Sequence, residues 1–547
     1  SGAENSIGVY AENTLLTTIS GGNIIAQNGG IALYSGDNST INLSGSNLLT
    51  ANQGGLLFYN YVNGSTVTGK YNITGPASAN VNPGGMLLYA KVANLADIPT
   101  VAAAIKGAFA NAGSLTVNMA AGSNVMYIDS PGGVVNILNF TGLPSLTSGF
   151  FNFTGSGYND YVMNGFDLTL NDSTESDLDS GSYGKIQFIN TNVTVDSSTT
   201  VEGTNSAKQY IAIAQRNNSS GTLAGRYIVN NGTISLAGNG STGIAGDYIT
   251  VTNSSTGKIK LSGNNSIGMY VANGADTLNQ GLIELGGQGS VGIYGGNYFD
   301  GSTSYTTLGY GNDQIDIENQ KDIKTVAGGV SGDAFGIYAD NNTTAVSSVN
   351  LTSTSNIDLK GTGTIIGAYL KKTDLINAGT ITVESAAGGS SVGIYGDNST
   401  ATSIAGSVNV SGGSGTGIYL KNSTMSSGAA IKVADVTSGI GMYVEATAGN
   451  TSLGTNTNTI SLGDNVTGMY AVGASTLNTG TIINTGTIQS LAASADKAIG
   501  MYIGAHGSGV NAGNIRLTAV GTDKDQVGVY NHSGTFSMGS GNIEVYS

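Results

Sequence analysis

Ile267-Gly268-Met269-Tyr270 is followed 24 residues later by Val291-Gly292-Ile293-Tyr294, and the same Gly-apolar-Tyr pattern returns along most of the chain. The shortest step between successive copies is 24 residues, as from Tyr419 to Tyr443, and longer steps indicate insertions. A repeat of this length is typical of a solenoid, in which each unit buries its apolar face against its neighbours. Other strict copies end at Tyr10, Tyr338, Tyr369, Tyr395, Tyr470, Tyr502 and Tyr530, and looser copies end at Tyr34, Tyr59, Tyr89 and Tyr127.

A second motif precedes many of these tyrosines and consists of an Asn/Gly corner and an alternating strand. Examples are Asn377-Ala378-Gly379-Thr380-Ile381-Thr382-Val383 and Asn484-Thr485-Gly486-Thr487-Ile488. Asn and Gly tolerate the positive φ angles of tight corners, and alternation of apolar and polar residues is typical of a half-buried strand. Two or three short strands per repeat predict an all-β fold, a right-handed parallel β-helix of roughly 24-residue rungs with a few loop or short-helix insertions.

The alternation also predicts which side chains face inward. In Ile267-Gly268-Met269-Tyr270, the first and third side chains should be interior and the second and fourth should point outward. The inward pair should stack on Val291 and Ile293 of the next rung. Tyr270 should then stand over Tyr294 on the outer face or at a corner, with the glycines leaving room for the rings.

Composition narrows the class of protein. Charged residues are only 10% of the chain and apolar residues 39%, which favours a packed protein over a disordered one. The net charge of −15 argues against nucleic-acid partners, because such proteins carry a Lys/Arg stripe. No apolar run is long enough to span a bilayer, so we expect no direct membrane insertion of this segment. The absence of cysteine suits export of an unfolded chain through a narrow pore.

The regularity of the repeat divides the chain into three regions. Residues 1–90 and 216–547 carry regular rungs, and residues 91–215 are divergent. In the divergent region we predict a short helix at Pro99-Thr100-Val101-Ala102-Ala103-Ala104-Ile105-Lys106. The aromatic-rich stretch Phe140–Phe166 is interpreted either as a thicker rung core or as a recognition surface. Because both ends of the sequence fall within repeats, we expect a segment of a longer protein.

The longest interruption within the regular rungs, near residues 295–332, is the candidate binding site. The step from Tyr294 to Tyr338 is 44 residues, which predicts a loop that protrudes from the solenoid. Exposed aromatic side chains could stack on sugar rings or fill a receptor pocket, and carboxylates could accept hydrogen bonds. The alternative is that the aromatic residues form the loop's own small core. The candidate ligand-binding residues are Tyr298, Phe299, Asp300, Tyr305, Tyr310 and Asp313.

The sequence gives little sign of catalysis. His506 and His532 lie in ordinary turns, so we assign no catalytic residue, no metal site and no cofactor. Two acidic runs could hold Ca²⁺ but are more typical of solvated loops, and neither matches a known calcium motif. These runs are Asp172, Glu175, Asp177 and Asp179, and Asp313, Asp316 and Glu318.

The paired motifs resemble the passenger repeats of large type Va autotransporter adhesins, closest to the fusobacterial (RadD-like) type. The resemblance is carried by Asn279-Gln280-Gly281-Leu282-Ile283-Glu284-Leu285 through Tyr294 and by Thr380-Ile381 through Tyr395. It covers roughly residues 1–90 and 216–547. It implies an extracellular β-helix on the bacterial cell surface, tethered to the outer membrane by a separate barrel, but it transfers no ligand-contacting residue.

Three functions remain open. The preferred hypothesis is an adhesin segment, monomeric and without enzyme activity, that attaches to host cells or other bacteria through surface glycans or receptor proteins. The second is a passive stalk, which should lack insertions. The third is a β-helical polysaccharide-degrading enzyme, which would require a pair of carboxylates facing a groove.

Overall fold

The fold is a β-solenoid in a computed structural model that describes residues 6–120, 123–129, 134–137, 150–155, 159–164, 167–170, 186–189, 192–207, 209–216, 226–272, 274–296, 315–341, 347–491, 496–518 and 525–546. The chain divides into two compact units. The first comprises Ser1–Asn205, Tyr210–Ser219 and Leu223–Ser235, and the second comprises the other residues. In both units, nearly every strand pairs in parallel with the equivalent strand one rung later, which confirms the predicted all-β parallel fold.

Each regular rung of the second unit has three strands on three faces. Ile267–Ala272 lies on the first face, Asp276–Asn279 on the second and Leu282–Leu285 on the third, and the chain then starts the next rung at Ser290–Gly296. The first-face strands are Thr242–Asp247, Ile267–Ala272, Ser290–Gly296, Ala334–Asp340, Thr364–Lys371, Ser390–Asp397, Ser414–Lys421, Ser438–Ala446, Val466–Gly473, Ile499–Ile503 and Val527–Asn531. The second-face strands are Thr250–Asn253, Asp276–Asn279, Asp316–Asn319, Ser347–Leu351, Thr373–Asn377, Thr400–Ile404, Thr424–Ser427, Ser452–Asn456, Gly480–Asn484, Gly507–Asn511 and Thr535–Met538. The third-face strands are Lys258–Leu261, Leu282–Leu285, Asp322–Thr325, Asn356–Gly361, Thr380–Ser385, Ser407–Ser411, Ala430–Val433, Thr459–Leu462, Thr487–Ser490, Asn514–Thr518 and Asn542–Tyr546.

The first unit is built in the same way but carries two excursions. Thr66–Thr68 folds back antiparallel on Leu56–Asn63, and the helix Val101–Ala108 follows a 3₁₀ turn at Leu95–Thr100. The predicted short helix is therefore confirmed, with its α-helical part starting two residues later. A second 3₁₀ turn is Ala112–Ser114. The strands of the first unit are Ile7–Ala11, Thr17–Ile19, Gly22–Ala26, Ile31–Ser35, Thr40–Leu43, Asn47–Ala51, Leu56–Asn63, Thr66–Thr68, Lys70–Ile73, Ala77–Val81, Met86–Val92, Phe109–Ala110, Leu115–Met119, Asn124–Asp129, Val134–Ile137, Asn152–Gly155, Asn159–Asn164, Asp167–Leu170, Ile186–Ile189, Asn192–Val195, Thr200–Gly203, Ile211–Arg216, Tyr227–Asn230 and Thr233–Leu236.

The glycine of the Gly-apolar-Tyr motif lies inward, against the prediction. Gly268 is buried next to buried Met269, and Ile267 is only half-buried, so the strand bends at two consecutive inward residues. A Cβ on Gly268 would lie 2.9 Å from Cγ2 of Ile283 and 2.5 Å from the carbonyl oxygen of Gly292. The predicted inward stacking of Met269 on Ile293 is confirmed. The predictions that Ile267 is interior and that Gly268 faces outward are wrong, because the third-face isoleucine occupies the space beneath the glycine.

Buried asparagines join successive rungs at the corner after the second face. The Nδ2 group of Asn253 donates to Oδ1 of Asn279 at 2.8 Å, and Asn279 donates in turn to Asn319 at 2.7 Å. Asn456, Asn484 and Asn511 form the same chain with donor–acceptor distances of 2.8 Å. These bonds satisfy amide groups that would otherwise be costly to bury.

Part of the aromatic-rich stretch packs inside the first unit. Phe151 is only 3% exposed and meets Phe109 edge to face, with ring centroids 5.3 Å apart. Phe109 continues inward to Phe58 and Tyr71, at 5.2 and 4.9 Å. For Phe151 this favours the thicker core over the recognition surface. Phe140 and Phe166 lie outside the described residues.

Candidate functional site

The predicted binding residues lie outside the described part of the chain. These are Tyr298, Phe299, Asp300, Tyr305, Tyr310 and Asp313. The rungs on either side of this segment are described. Ser290–Gly296 pairs directly with Ala334–Asp340, and the rings of Tyr294 and Tyr338 stack at 5.2 Å with an interplanar angle of 5°. The described strands on either side of residues 297–314 therefore pair with each other directly.

A tyrosine column lies on the outside of the first face of the second unit. The predicted placement of Tyr270 over Tyr294 is confirmed by a centroid distance of 5.4 Å and an interplanar angle of 9°. Successive centroids along the column are 4.4–5.4 Å apart. The column comprises Tyr270, Tyr294, Tyr338, Tyr369, Tyr395, Tyr419, Tyr443, Tyr470, Tyr502 and Tyr530.

A charge column runs beside the tyrosines and was missed by the sequence analysis. Its members are paired neighbours in successive strands, namely Asp340, Lys371, Asp397, Lys421 and Glu445. Each lies two residues after a column tyrosine. Because side chains two apart on a strand share a face, the period-two rule could have identified it.

Opposite charges alternate along the charge column and partly neutralise one another. Nζ of Lys371 lies 3.0 Å from Oδ1 of Asp340, and Nζ of Lys421 lies 3.6 Å from Oδ2 of Asp397. These ion pairs are partly solvent-exposed, so each contributes little to stability. They instead make this surface almost neutral in a protein of net charge −15.

The regular stack of the column breaks at Tyr419. Its ring is nearly perpendicular to the rings of both neighbours, at 78° to Tyr395 and 76° to Tyr443. Its hydroxyl donates a hydrogen bond to Oε2 of Glu445 in the charge column. Burial, followed by this hydrogen bond, raises the pKa of Tyr419 well above its usual range. The phenol therefore stays protonated, and remains a hydrogen-bond donor, beyond the pH at which an ordinary tyrosine ionises.

An acidic cleft on the second face brings together some residues of a predicted acidic run. Asp276 and Asp316 are paired neighbours on adjacent strands, and Glu318 lies on the same face as Asp316. They line a cleft of about 370 Å³ with Ser348 and Asn350. Burial, and then the charge of Asp316, raises the pKa of the Asp276 carboxyl. Ser348 donates to Oδ1 of Asp316 at 2.5 Å.

A second groove lies between the two excursions of the first unit. It encloses about 910 Å³ and is lined mainly by small residues in and just before the strand Thr66–Thr68 and on the helix Val101–Ala108. Oδ2 of Asp97 accepts from the backbone N–H of Gly64 at 2.8 Å, which joins the two excursions.

Among the described residues, no group of three or more His, Asp or Glu side chains is placed to hold a metal ion. The acidic run Asp172–Asp179 lies outside the described residues, as does Asp313. His506 and His532 are both exposed. The backbone of His506 has a φ of 55°, as at the asparagine corners.

Within the ranges that the structure describes, no helix is both long and apolar enough to cross a membrane. No family model matches the sequence, and no curated protein matches it either.

Proposed function

We propose that this chain is a segment of a bacterial cell-surface adhesin that attaches to host cells or other bacteria through glycans or receptor proteins. Support comes from the tyrosine column, which lies on the outer surface of successive rungs beside the charge column. Tyrosine supplies large contact area at low conformational cost and keeps a polar group for hydrogen bonding. A solenoid repeats such a surface at the strand spacing, which suits contact with extended or multivalent partners.

The proposal assigns the segment to the outside of the cell, as part of a parent protein tethered to the outer membrane. It acts as a monomer and requires no cofactor. Neutralised charges along the column favour partners without strong charge. Nucleic acid is disfavoured as a partner, because only 19 of the 547 residues are Lys or Arg.

Attachment of beads coated with the full chain to epithelial and bacterial cells tests the proposal. We expect specific attachment that saturates and is competed by soluble chain. A variant lacking residues 298–311 should keep its melting temperature, because Ser290–Gly296 pairs directly with Ala334–Asp340. Reduced attachment by this variant would assign the missing segment to binding. Attachment no greater than that of uncoated beads would contradict the adhesin and favour the passive stalk.

A polysaccharide-degrading enzyme is another candidate, and the acidic cleft favours it. Glycoside hydrolysis uses a general acid with a raised pKa and a second carboxylate on the other side of the scissile bond. Asp276 and Asp316 supply two carboxyl groups on adjacent rungs, and the pKa of Asp276 is raised. The candidate predicts release of reducing ends from polysaccharides by the full chain, abolished in Asp276→Asn and in Asp316→Asn. Equal release by the full chain and both variants, or none by any of them, would contradict it.

A further inference from the structure

We propose that Tyr419 and its charged neighbours form a subsite for one neutral hexopyranose ring. The inference rests on the proposed adhesin function and names the chemical class of its ligand. It is carried by the one ring of the column that lies nearly perpendicular to both of its neighbours. Nothing in the Gly-apolar-Tyr repeat distinguishes Tyr419 from the other tyrosines, so the site depends on how the ring is turned.

Because the ring of Tyr419 is turned, no other tyrosine of the column stacks on its two faces. Tyr369 stacks on Tyr338 and Tyr395 at interplanar angles of 8° and 7°, so neighbouring rings cover both of its faces. The neighbours of Tyr419 stand at 76–78° to it and meet its edges instead. The ring itself is half-buried and reaches the surface. Neither face of Tyr419 is therefore covered by a stacked tyrosine of the column, in contrast to the faces of Tyr369.

An aromatic face fits the apolar side of a sugar ring. The π-face carries partial negative charge, and the axial C–H groups of a pyranose carry partial positive charge. The contact is flat on both sides and buries area that is largely apolar. A stacked tyrosine such as Tyr369 presents only its edge and hydroxyl to solvent and cannot make this contact.

Polar groups for the sugar hydroxyls stand beside the ring. Oε2 of Glu445 accepts a hydrogen bond from the Tyr419 hydroxyl, and the second carboxylate oxygen of Glu445 remains as an acceptor for a ligand. Lys421 supplies an ammonium donor, and its 3.6 Å separation from Asp397 is looser than the 3.0 Å pair between Lys371 and Asp340. One donor and two acceptor groups around an aromatic platform match the alternating donor and acceptor character of sugar hydroxyls.

The charges around Tyr419 disfavour an acidic sugar. Asp397 and Glu445 are carboxylates and Lys421 is the one cation of the subsite, so the local charge is −1. A sialic acid or a sulfated sugar would bring a further negative charge beside these two carboxylates. A neutral hexopyranose, free or at the end of a glycan, avoids this repulsion.

Saturation-transfer NMR on the full chain tests the inference, with cellotetraose, lactose and 3′-sialyllactose as probes. We expect one of the neutral sugars to bind and the sialylated sugar to bind more weakly. Tyr419→Ala should weaken binding by about tenfold or more, since a central aromatic contact usually dominates such sites. Tyr369→Ala is the matched control, because it removes a column tyrosine whose faces are covered. It should change the affinity by less than about twofold.

A further variant controls for a loss of structure in Tyr419→Ala. Tyr419→Phe keeps the ring and removes the bond to Glu445, so it should retain most of the binding. Equal weakening by Tyr369→Ala and Tyr419→Ala, or no effect of Tyr419→Ala, would overturn the subsite. Absence of sugar binding by the unmodified chain would also overturn it. If the same chain still attaches to cells, the adhesin proposal survives that result, and if it does not, both proposals fail.

Discussion

Replacing Gly441 by Ala tests the steric basis of the repeat. A Cβ at this position would lie 2.5 Å from Cγ2 of Ile460 in the same rung and 2.5 Å from the carbonyl oxygen of Gly468 in the next. Both contacts are far inside van der Waals distance. Neither partner is free to move, because Ile460 is fully buried and Gly468 lies in a paired strand. Adding a methyl group to such a core usually costs about 1–3 kcal/mol, and we expect the upper end of this range.

The measurement is thermal and guanidinium unfolding of the full chain, followed by near-ultraviolet circular dichroism of the tyrosines. A loss of about 3 kcal/mol should lower Tm by roughly 5 °C or more. Gly449→Asn is the matched control, because a Cβ at Gly449 meets nothing within 4 Å and its φ of 85° lies in the left-handed region that asparagine tolerates. We expect this control to change stability by less than about 0.5 kcal/mol.

A double variant separates the two contacts of Gly441. Ile460→Ala alone should cost about 2–5 kcal/mol, because it leaves a cavity in the core. Combined with Gly441→Ala, the total cost should be smaller than the sum, since the new methyl group fills part of that cavity. Strict additivity would assign the cost to Gly468 alone. A Gly441→Ala protein that unfolds like the unmodified chain would refute the steric argument.

Two further predictions follow from the tyrosine column and the buried asparagines. Burial, and then the charge of Glu445, raises the pKa of Tyr443 to about 12. The folded protein therefore holds this proton more tightly than the unfolded chain, whose tyrosines titrate near pH 10. The stability it contributes is fully present below about pH 10 and is lost as pH rises toward 12. Ultraviolet titration should show delayed tyrosinate formation relative to protein in denaturant, and simultaneous titration of both samples would contradict the prediction. Asn484→Ala should cost about 1–3 kcal/mol in chemical unfolding, because it leaves the amide oxygen of Asn511 without its donor. An unchanged unfolding midpoint would show that this chain of amides is dispensable.

The architecture could be predicted from sequence because the repeat is long and regular. Tyrosines 24 residues apart, such as Tyr395 and Tyr419, are paired neighbours on adjacent rungs. The alanine-rich helix could also be predicted from sequence, and Ala102 and Ile105 lie on its buried side. Strong local propensity and a constant period are the signals that single-sequence reasoning uses well.

The inward orientation of the glycines could not be predicted from the alternation of apolar and polar residues alone. Period two assumes a straight strand, but the chain bends where Gly268 and Met269 both point inward. Recognising the bend requires knowing that Ile283 approaches from the third face, and this contact joins residues that are far apart within the rung. The candidate site could likewise be predicted only in part. The charge column was accessible from spacing, whereas the turned ring of Tyr419 and its hydrogen bond to Glu445 in the next rung leave no sign in the repeat.

The regular tyrosines have a structural role that is separate from the proposed binding. Stacked aromatic pairs contribute about 0.5–1.5 kcal/mol beyond the area they bury, so a column of them stabilises the stacking of rungs. That role explains why tyrosine recurs even where both ring faces are covered, as at Tyr369. The inward glycine recurs for a different reason, since a Cβ there would strike the third-face isoleucine. Both repeated residues are therefore constrained by the solenoid itself. The proposed ligand recognition would then be encoded where these constraints leave freedom, namely two residues after each tyrosine and wherever the stack is broken. Tyr419, Lys421 and Glu445 combine both conditions at one place on the surface.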